Sequence, residues 1–74
     1  MRWHPIRSSN MWRIAYDADR RVLGVQFLSG YAYLYFGVPL QVYEGLLAAQ
    51  SHPWTRWGKI IQRNYPCTRI AGAA

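Results

Sequence analysis

The chain has 74 residues, a formal net charge of +6 and a single cysteine. This length allows one small domain, and one cysteine excludes an intrachain disulfide and a metal cluster built from thiolates. The excess of arginine and lysine over acidic residues predicts attraction to nucleic acid or to an acidic protein surface. The sequence has no apolar run near the ~20 residues of a membrane-spanning helix and no apolar segment typical of a signal peptide. We therefore predict a cytoplasmic protein that does not enter a membrane.

The first half of the chain predicts three β-strands. Apolar and polar residues alternate over residues 11–16, 21–28 and 31–36, as is typical of strands with one buried face. Asp17 and Asp19 lie between the first two segments, where aspartate side chains stabilise a turn by accepting hydrogen bonds from nearby backbone N–H groups. Tight turns between successive strands predict an antiparallel meander.

The loop at Ser29-Gly30 leaves two registers open for the second and third strands. A two-residue turn would turn Tyr33 and Tyr35 away from the aliphatic side chains of the second strand, so that both rings could stack on bases. A three-residue loop over residues 28–30, with Gly30 in the left-handed conformation, would place both rings in the core. A one-residue slip moves every side chain of a strand to the other face. We favour the three-residue loop, because glycine suits the left-handed position and a small core needs large rings.

The second half predicts two helices, residues 40–50 and 54–64, packed on one face of the sheet. Pro39 suits the first turn of the first helix, because no partner is available there for an N–H group. Ser51 is a suitable N-cap for the second helix. At about 100° per residue, the second helix gathers its large apolar side chains on one face: Trp54, Trp57, Ile60 and Ile61.

The complete prediction is an α+β domain over residues 9–65, with a three-stranded antiparallel meander followed by two α-helices. Residues 1–8 are predicted to form a flexible leader, because proline and serine interrupt any regular pattern there. Residues 66–74 are small and polar apart from Ile70 and predict a flexible tail.

Residues suited to catalysis are scarce. Glu44 is the single glutamate, and it lies on the first predicted helix without an evident partner. His52 falls in the loop between the helices, where a solvated or capping histidine is more common than a catalyst. No spacing of histidine, cysteine and aspartate suits a metal ion, and no glycine-rich loop suits a phosphate group. We therefore predict a protein without enzymatic activity, cofactor or metal site.

Basic residues interleaved with aromatic ones predict a nucleic-acid interface. Arg56, Lys59 and Arg63 are three and four residues apart, so they form one basic stripe on the second helix. Such side chains neutralise phosphates, and aromatic rings stack on bases at ~1–3 kcal/mol each. Further candidate contacts, near the first hairpin and in the third strand, are Arg13, Arg20, Arg21, Tyr33 and Tyr35.

The order of short motifs along the chain resembles the KTSC family, a domain found at the C-terminus of some lysyl-tRNA synthetases and as small bacterial and phage proteins. The resemblance covers roughly residues 8–65, and its Tyr-x-Tyr motif corresponds to Tyr33 and Tyr35. The synthetase association implies a role in RNA binding. The chain departs from the family pattern at Ala15, where glycine is usual, and after Ser51. The matching motifs in chain order are Ser9-Asn10-Met11, Ile14-Ala15-Tyr16-Asp17, Leu23-Gly24-Val25-Gln26-Phe27, Gly30, Tyr33-Leu34-Tyr35, Val38-Pro39, Val42-Tyr43, Leu46, Ala49 and Ser51.

Two functions follow from these features. The first is a small non-enzymatic module that binds nucleic acid, RNA in preference to DNA. The second is a protein-interaction module, or a small inhibitor of the kind that phages encode, docking on an acidic protein surface. Trp3, Trp12 and Trp54 are candidate anchors for the second function, because tryptophan and arginine dominate interface hot spots. The oligomeric state stays open.

Overall fold

In a computed structural model, which describes residues 1–72, five strands form one antiparallel sheet in the order β1-β2-β3-β4-β5. The strands are β1 (Trp3–Pro5), β2 (Met11–Asp17), β3 (Val22–Phe27), β4 (Ala32–Phe36) and β5 (Cys67–Ala71). Two helices connect β4 to β5, and they are α1 (Leu40–Ala48) and α2 (Pro53–Asn64). The fold class is α+β, as the sequence predicts.

The predicted number of three strands is wrong, because both ends of the chain add an edge strand. Trp3 in the predicted leader pairs with Ala15, and Arg69 in the predicted tail pairs with Tyr33. The signal for each strand is weak. β1 has three residues and includes Pro5, which a sheet tolerates at an edge, and β5 is exposed along its whole length, so it lacks a buried alternating face. The last two residues of the predicted tail, 73–74, lie outside the described residues.

The three-residue loop between β3 and β4 is confirmed. Val25 pairs with Tyr33, the Phe27 N–H donates to the Tyr31 carbonyl at 2.8 Å, and the Gly30 N–H donates to the Phe27 carbonyl at 2.9 Å. Gly30 has a φ of 98°, a conformation that glycine adopts without steric cost. This register turns the β4 tyrosines toward the face of the sheet that the helices cover.

The core lies between that face and the two helices. Leu23 and Val25 contribute from the sheet, and Leu46 and Ile61 contribute from α1 and α2. All four side chains are fully buried, so each removes its apolar surface from water at roughly 25 cal/mol per Å². Through Ile61 the core holds α2 in a defined position on the sheet.

The opposite face carries no helix. Here the ring of Trp3 covers Gly24, and a Cβ atom added at that glycine would lie 2.7 Å from the ring. A bulge in β2 between Met11 and Arg13 turns Trp12 outward, so that its side chain is 47% exposed. This surface, including Arg13, Trp3 and Trp12, is called the helix-free face.

No helix within residues 1–72 has the length and apolar character that crossing a membrane requires.

Candidate functional site

The basic stripe lies on the side of α2 that faces away from the core. Arg56, Lys59 and Arg63 are all exposed, whereas Ile61 on the same helix is fully buried. Arg63 occupies the last helical turn, where the partial negative charge of the helix end favours a cation. The three predicted contact residues therefore share one accessible helix surface.

The stripe has two sides with different neighbours. Arg56 lines a groove of ≈ 350 Å³ between α1 and α2, beside Trp57 and Gly45. Lys59 is three residues before Gln62, so the two side chains lie about 60° apart around the helix axis. Gln62 borders a second and larger cavity. The basic stripe therefore reaches from the helix–helix groove to the edge of that cavity.

The larger cavity, here called the aromatic pocket, has a volume of ≈ 370 Å³ and lies between α2 and the end of the sheet formed by β3, β4 and β5. Four rings contribute to its wall: Phe27, Tyr31, Tyr33 and Tyr35. Three uncharged polar side chains complete it: Ser29, Gln62 and Cys67.

The rings of the pocket support one another. Tyr33 meets Phe27 edge-on with 6.2 Å between ring centroids and lies 6.4 Å from Tyr35. Tyr35 in turn lies 6.2 Å from Trp54 of α2, and Phe27 packs edge-on against Trp54 at 5.1 Å. Edge-to-face and tilted pairs at these separations are favourable for aromatic quadrupoles. The wall is therefore held by a network that connects the sheet to the helix.

Tyr33 and Tyr35 have different accessibility. Tyr35 is 3% exposed, so its face is unavailable for stacking with a base. Tyr33 is half-buried and presents part of its ring to the pocket. Stacking by both rings is expected only with a two-residue turn, and the three-residue loop that forms instead places Tyr35 in the core.

Burial raises the pKa of the Tyr35 hydroxyl to about 12, and the Cys67 thiol and the Tyr33 hydroxyl act in the same direction. The neutral hydroxyl remains a hydrogen-bond donor at physiological pH. The pocket therefore presents no phenolate from this residue.

We expect the raised pKa of Tyr35 to appear as a loss of stability in alkali. An unfolded tyrosine has a pKa of about 10, so the stability linked to the Tyr35 proton is complete below that pH and is lost as pH rises through about 12. In urea unfolding between about pH 8 and 12, Tyr35→Phe should lose stability less steeply than the wild type. Tyr31→Phe, which removes a hydroxyl from the same pocket, is the control and should follow the wild type. Equal slopes for all three proteins would contradict this assignment.

The arginines of the first hairpin do not join the stripe as one surface. Arg20 and Arg21 are exposed in the turn between β2 and β3. This turn lies near the end of α2, because Val22 pairs with Phe36 and the Phe36 N–H donates to the Pro66 carbonyl just after α2.

Arg13 lies on the helix-free face and is separated from the basic stripe by the sheet. Its Nε–H donates to Gln26 Oε1 at 2.7 Å. Its guanidinium carbon lies 4.4 Å from the Trp12 ring centroid and 5.3 Å from that of Trp3. These contacts hold the guanidinium between two rings, a structural role that the sequence pattern does not indicate.

The structure adds pocket residues that the sequence does not single out. Gln62 and Cys67 line the pocket, and Arg69 lies with its guanidinium carbon 5.6 Å from the centroid of the Tyr31 ring. Cys67 and Arg69 belong to the segment predicted as a tail. The sequence contains one indication of a strand in this segment, because the β-branched residues Thr68 and Ile70 alternate shortly after Pro66.

Within residues 1–72, no group of three or more histidine, cysteine, aspartate and glutamate side chains is placed to hold a metal ion. The pocket lining consists of aromatic and uncharged polar groups. The arrangement is suited to binding a flat, uncharged group with hydrogen-bonding edges, beside a surface that attracts anions.

Comparison with known proteins shows which family the chain resembles. The family model for the KTSC domain matches residues 7–53. A protein from Tsukamurella paurometabola is 40% identical over 47 residues, which cover 64% of this chain and 70% of that protein. An uncharacterised protein from Stutzerimonas stutzeri is 39% identical over 46 residues, which cover 62% of this chain and just under two thirds, 65%, of that protein.

A solved structure shares the fold as a whole. The crystal structure of a KTSC domain protein from Yersinia pestis aligns with a TM-score of 0.84 and 29% sequence identity, covering 93% of this chain and 96% of that one. Because the alignment covers 93% of this chain, the structural similarity extends beyond the matched residues 7–53.

Proposed function

The chain belongs to the KTSC domain family, and we propose that it is a non-enzymatic module that binds single-stranded nucleic acid, RNA in preference to DNA. One observation carries the proposal: α2 carries both the exposed basic stripe and Gln62, which lines the aromatic pocket. A cationic surface next to stacking rings is the usual combination in proteins that bind single strands.

The basic stripe supplies electrostatic capture. Arg56, Lys59 and Arg63 are exposed, and the chain as a whole carries a net charge of +6. Each phosphate that a lysine or arginine neutralises releases condensed counterions, which favours binding at low salt. Arginine also pairs with phosphate oxygens in a bidentate manner, so it orients the strand as well as attracting it.

The pocket supplies the preference for unpaired bases. A base inside a duplex cannot reach a wall of rings recessed between a helix and a sheet. RNA offers unpaired bases in loops and bulges, where proteins stack them on aromatic side chains.

We expect Lys59→Ala/Arg63→Ala to weaken binding to a short single-stranded RNA and to reduce its dependence on salt. Loss of two phosphate contacts should reduce the slope of log K against log salt concentration by about 1.4. Fluorescence anisotropy of a labelled oligonucleotide over a salt series measures both quantities. Arg2→Ala/Arg7→Ala removes the same charge from exposed sites near the N-terminus and is the matched control.

The two double variants decide the proposal together. A larger decrease in slope for Lys59→Ala/Arg63→Ala than for the control supports a localised phosphate site on α2. Equal effects from both pairs would reduce the interaction to general attraction by net charge. No binding by the wild type at low salt would eliminate the proposal.

The helix-free face favours a second candidate function, docking on an acidic protein. Trp12 is 47% exposed and Phe36 is 39% exposed, and Arg13 lies beside Trp12. Tryptophan and arginine are the residues that most often dominate interface energies. Trp54, in contrast, packs between Phe27 and Tyr35, so it is unsuited to act as an anchor. An acidic protein retained after nuclease treatment, lost with Trp12→Ser and kept with Lys59→Ala/Arg63→Ala, would favour this function over RNA binding.

A further inference from the structure

We infer that the aromatic pocket holds one unstacked nucleobase and that Arg69, at its rim, pairs with the phosphate of that nucleotide. The inference rests on the proposed function, because it names the ligand group that the α2 surface delivers. It adds a subsite for a base and a contact residue in β5 to the electrostatic surface.

The dimensions and chemistry of the pocket match a base. Its volume of ≈ 370 Å³ lies within the range of roughly 300–1,000 Å³ for small-molecule sites. Half-buried Tyr33 offers a ring face, while Ser29 and Gln62 offer hydroxyl and amide groups that can donate and accept hydrogen bonds. A base has a flat apolar face and a polar edge, and it is uncharged, so it complements both parts of this wall.

The rim of the pocket is organised by β5. Arg69 lies over one side of the Tyr31 ring, and Gly72 lies so close to the same ring that an added Cβ would be 2.6 Å away. The ring of Tyr31 is therefore in contact with both an arginine of β5 and the glycine that follows this strand. Arg69 keeps its guanidinium exposed beside the ring, where it can stack on one group and donate to an anion.

Two cations lie beside residues of the pocket wall. Arg69 of β5 lies against the ring of the pocket residue Tyr31, and Lys59 lies next to the pocket residue Gln62 on the surface of α2. A nucleotide within a strand has a phosphate on each side of its base. The positions of the two cations are thus suited to a base that leaves the strand and enters the pocket between two phosphates.

The required chemistry, a base attached to a phosphate, could come from a free mononucleotide or from a strand. Cys67 provides a direct probe for both, because it is the only cysteine of the chain, it is exposed, and its side chain lines the pocket. Occupancy of the pocket should slow alkylation of this thiol. We expect at least threefold slower labelling with a saturating mononucleotide or single-stranded octamer, and no slowing with ribose 5-phosphate.

A variant that lacks one aromatic ring tests whether a base stacks on the pocket wall. Tyr33→Leu should weaken binding of an RNA octamer by about tenfold, as expected for ~1–3 kcal/mol of base stacking. It should not weaken binding of the same octamer with abasic residues throughout, because that ligand has no base to stack. Tyr43→Leu is the matched control, since Tyr43 is also half-buried but stacks on Tyr16 with ring centroids 5.0 Å apart, away from the pocket. Arg69→Gln should weaken binding of the intact octamer without loss of folding.

The outcomes separate this inference from the proposed function. If the octamer binds in a stripe-dependent way but the abasic octamer binds equally well and Tyr33→Leu has no effect, the base subsite is overturned and the RNA-binding surface stands. If a mononucleotide protects Cys67 while no oligonucleotide binds, the subsite stands with free nucleotide as its ligand and the RNA proposal fails. If neither ligand protects Cys67 or depends on Tyr33, the pocket inference is overturned.

Discussion

Ile61→Ala is expected to lower the free energy of unfolding by about 3 kcal/mol, whereas Ile60→Ala is expected to change it by less than about 0.5 kcal/mol. The two isoleucines are neighbours on α2, so they share helix, residue type and local backbone. They differ in burial, because Ile61 is 0% exposed and Ile60 is 44% exposed. The pair therefore isolates the contribution of packing α2 on the sheet.

The expected cost is large for a domain of this size. A chain of 74 residues has a total stability of about 4–11 kcal/mol at the usual 0.05–0.15 kcal/mol per residue. Truncating Ile61 removes transfer energy and leaves a cavity among Leu23, Val25 and Leu46, which belong to the same core cluster. The unfolding midpoint should fall by more than about 10 °C, since 1 kcal/mol shifts a domain of this size by roughly 4–8 °C.

Chemical unfolding of both variants measures the difference, with the slope against denaturant reporting whether the folded state stays compact. The result also bears on function, because α2 carries Lys59 and Gln62 and forms one side of the aromatic pocket. Losses of similar size for the two variants would mean that α2 does not pack on the sheet through Ile61. Such a result would also remove the geometric basis of the proposed site.

The pattern of apolar residues identifies α2 but does not distinguish its two isoleucines. A period of about 3.6 residues places Ile60 and Ile61 on one broad apolar face. Only one of two adjacent helical residues can point at the centre of the sheet, and which one does so depends on where the other helix lies. Tertiary packing therefore determines which isoleucine is buried, and the sequence of α2 alone does not predict it.

The same limit applies to the edge strands and therefore to part of the site. A strand at a sheet edge is stabilised by backbone pairing with its neighbour, and it needs little apolar patterning of its own. Cys67 lines the pocket and Arg69 contacts Tyr31 because β5 pairs with β4, and nothing in residues 66–72 alone predicts that partner. The β3–β4 register, in contrast, follows from a local preference, since Gly30 suits the left-handed position of a three-residue loop.

Gly45→Ala is expected to destabilise the protein by up to about 2 kcal/mol, although the same change in an exposed helix interior is stabilising. Alanine has a higher helix propensity than glycine by about 1 kcal/mol. At this position a Cβ atom would overlap the ring of Trp57, which packs directly on the glycine from α2. Overpacking of this kind costs roughly 1–3 kcal/mol, so the steric term outweighs the gain in propensity.

A double-mutant cycle with Trp57→Ala tests this origin. Without the ring, Gly45→Ala should become stabilising by up to about 1 kcal/mol, which changes the sign of its effect and implies a coupling of about 1–3 kcal/mol. Denaturant unfolding of the four proteins provides the cycle. Stabilisation by Gly45→Ala in the presence of Trp57 would show that the two helices do not meet at this glycine.

Gly45→Ala should affect binding at the helix–helix groove more than binding in the aromatic pocket. The Gly45–Trp57 contact lies in the groove that Arg56 lines, on the opposite side of α2 from the aromatic pocket. Displacing Trp57 should therefore disturb Arg56 more than Tyr33 or Cys67. At temperatures where Gly45→Ala remains folded, we expect weaker strand binding but unchanged protection of Cys67 by a mononucleotide. Loss of both signals in parallel would mean that the groove and the pocket respond as one unit, with α2 moving as a rigid body when its contact with α1 is changed.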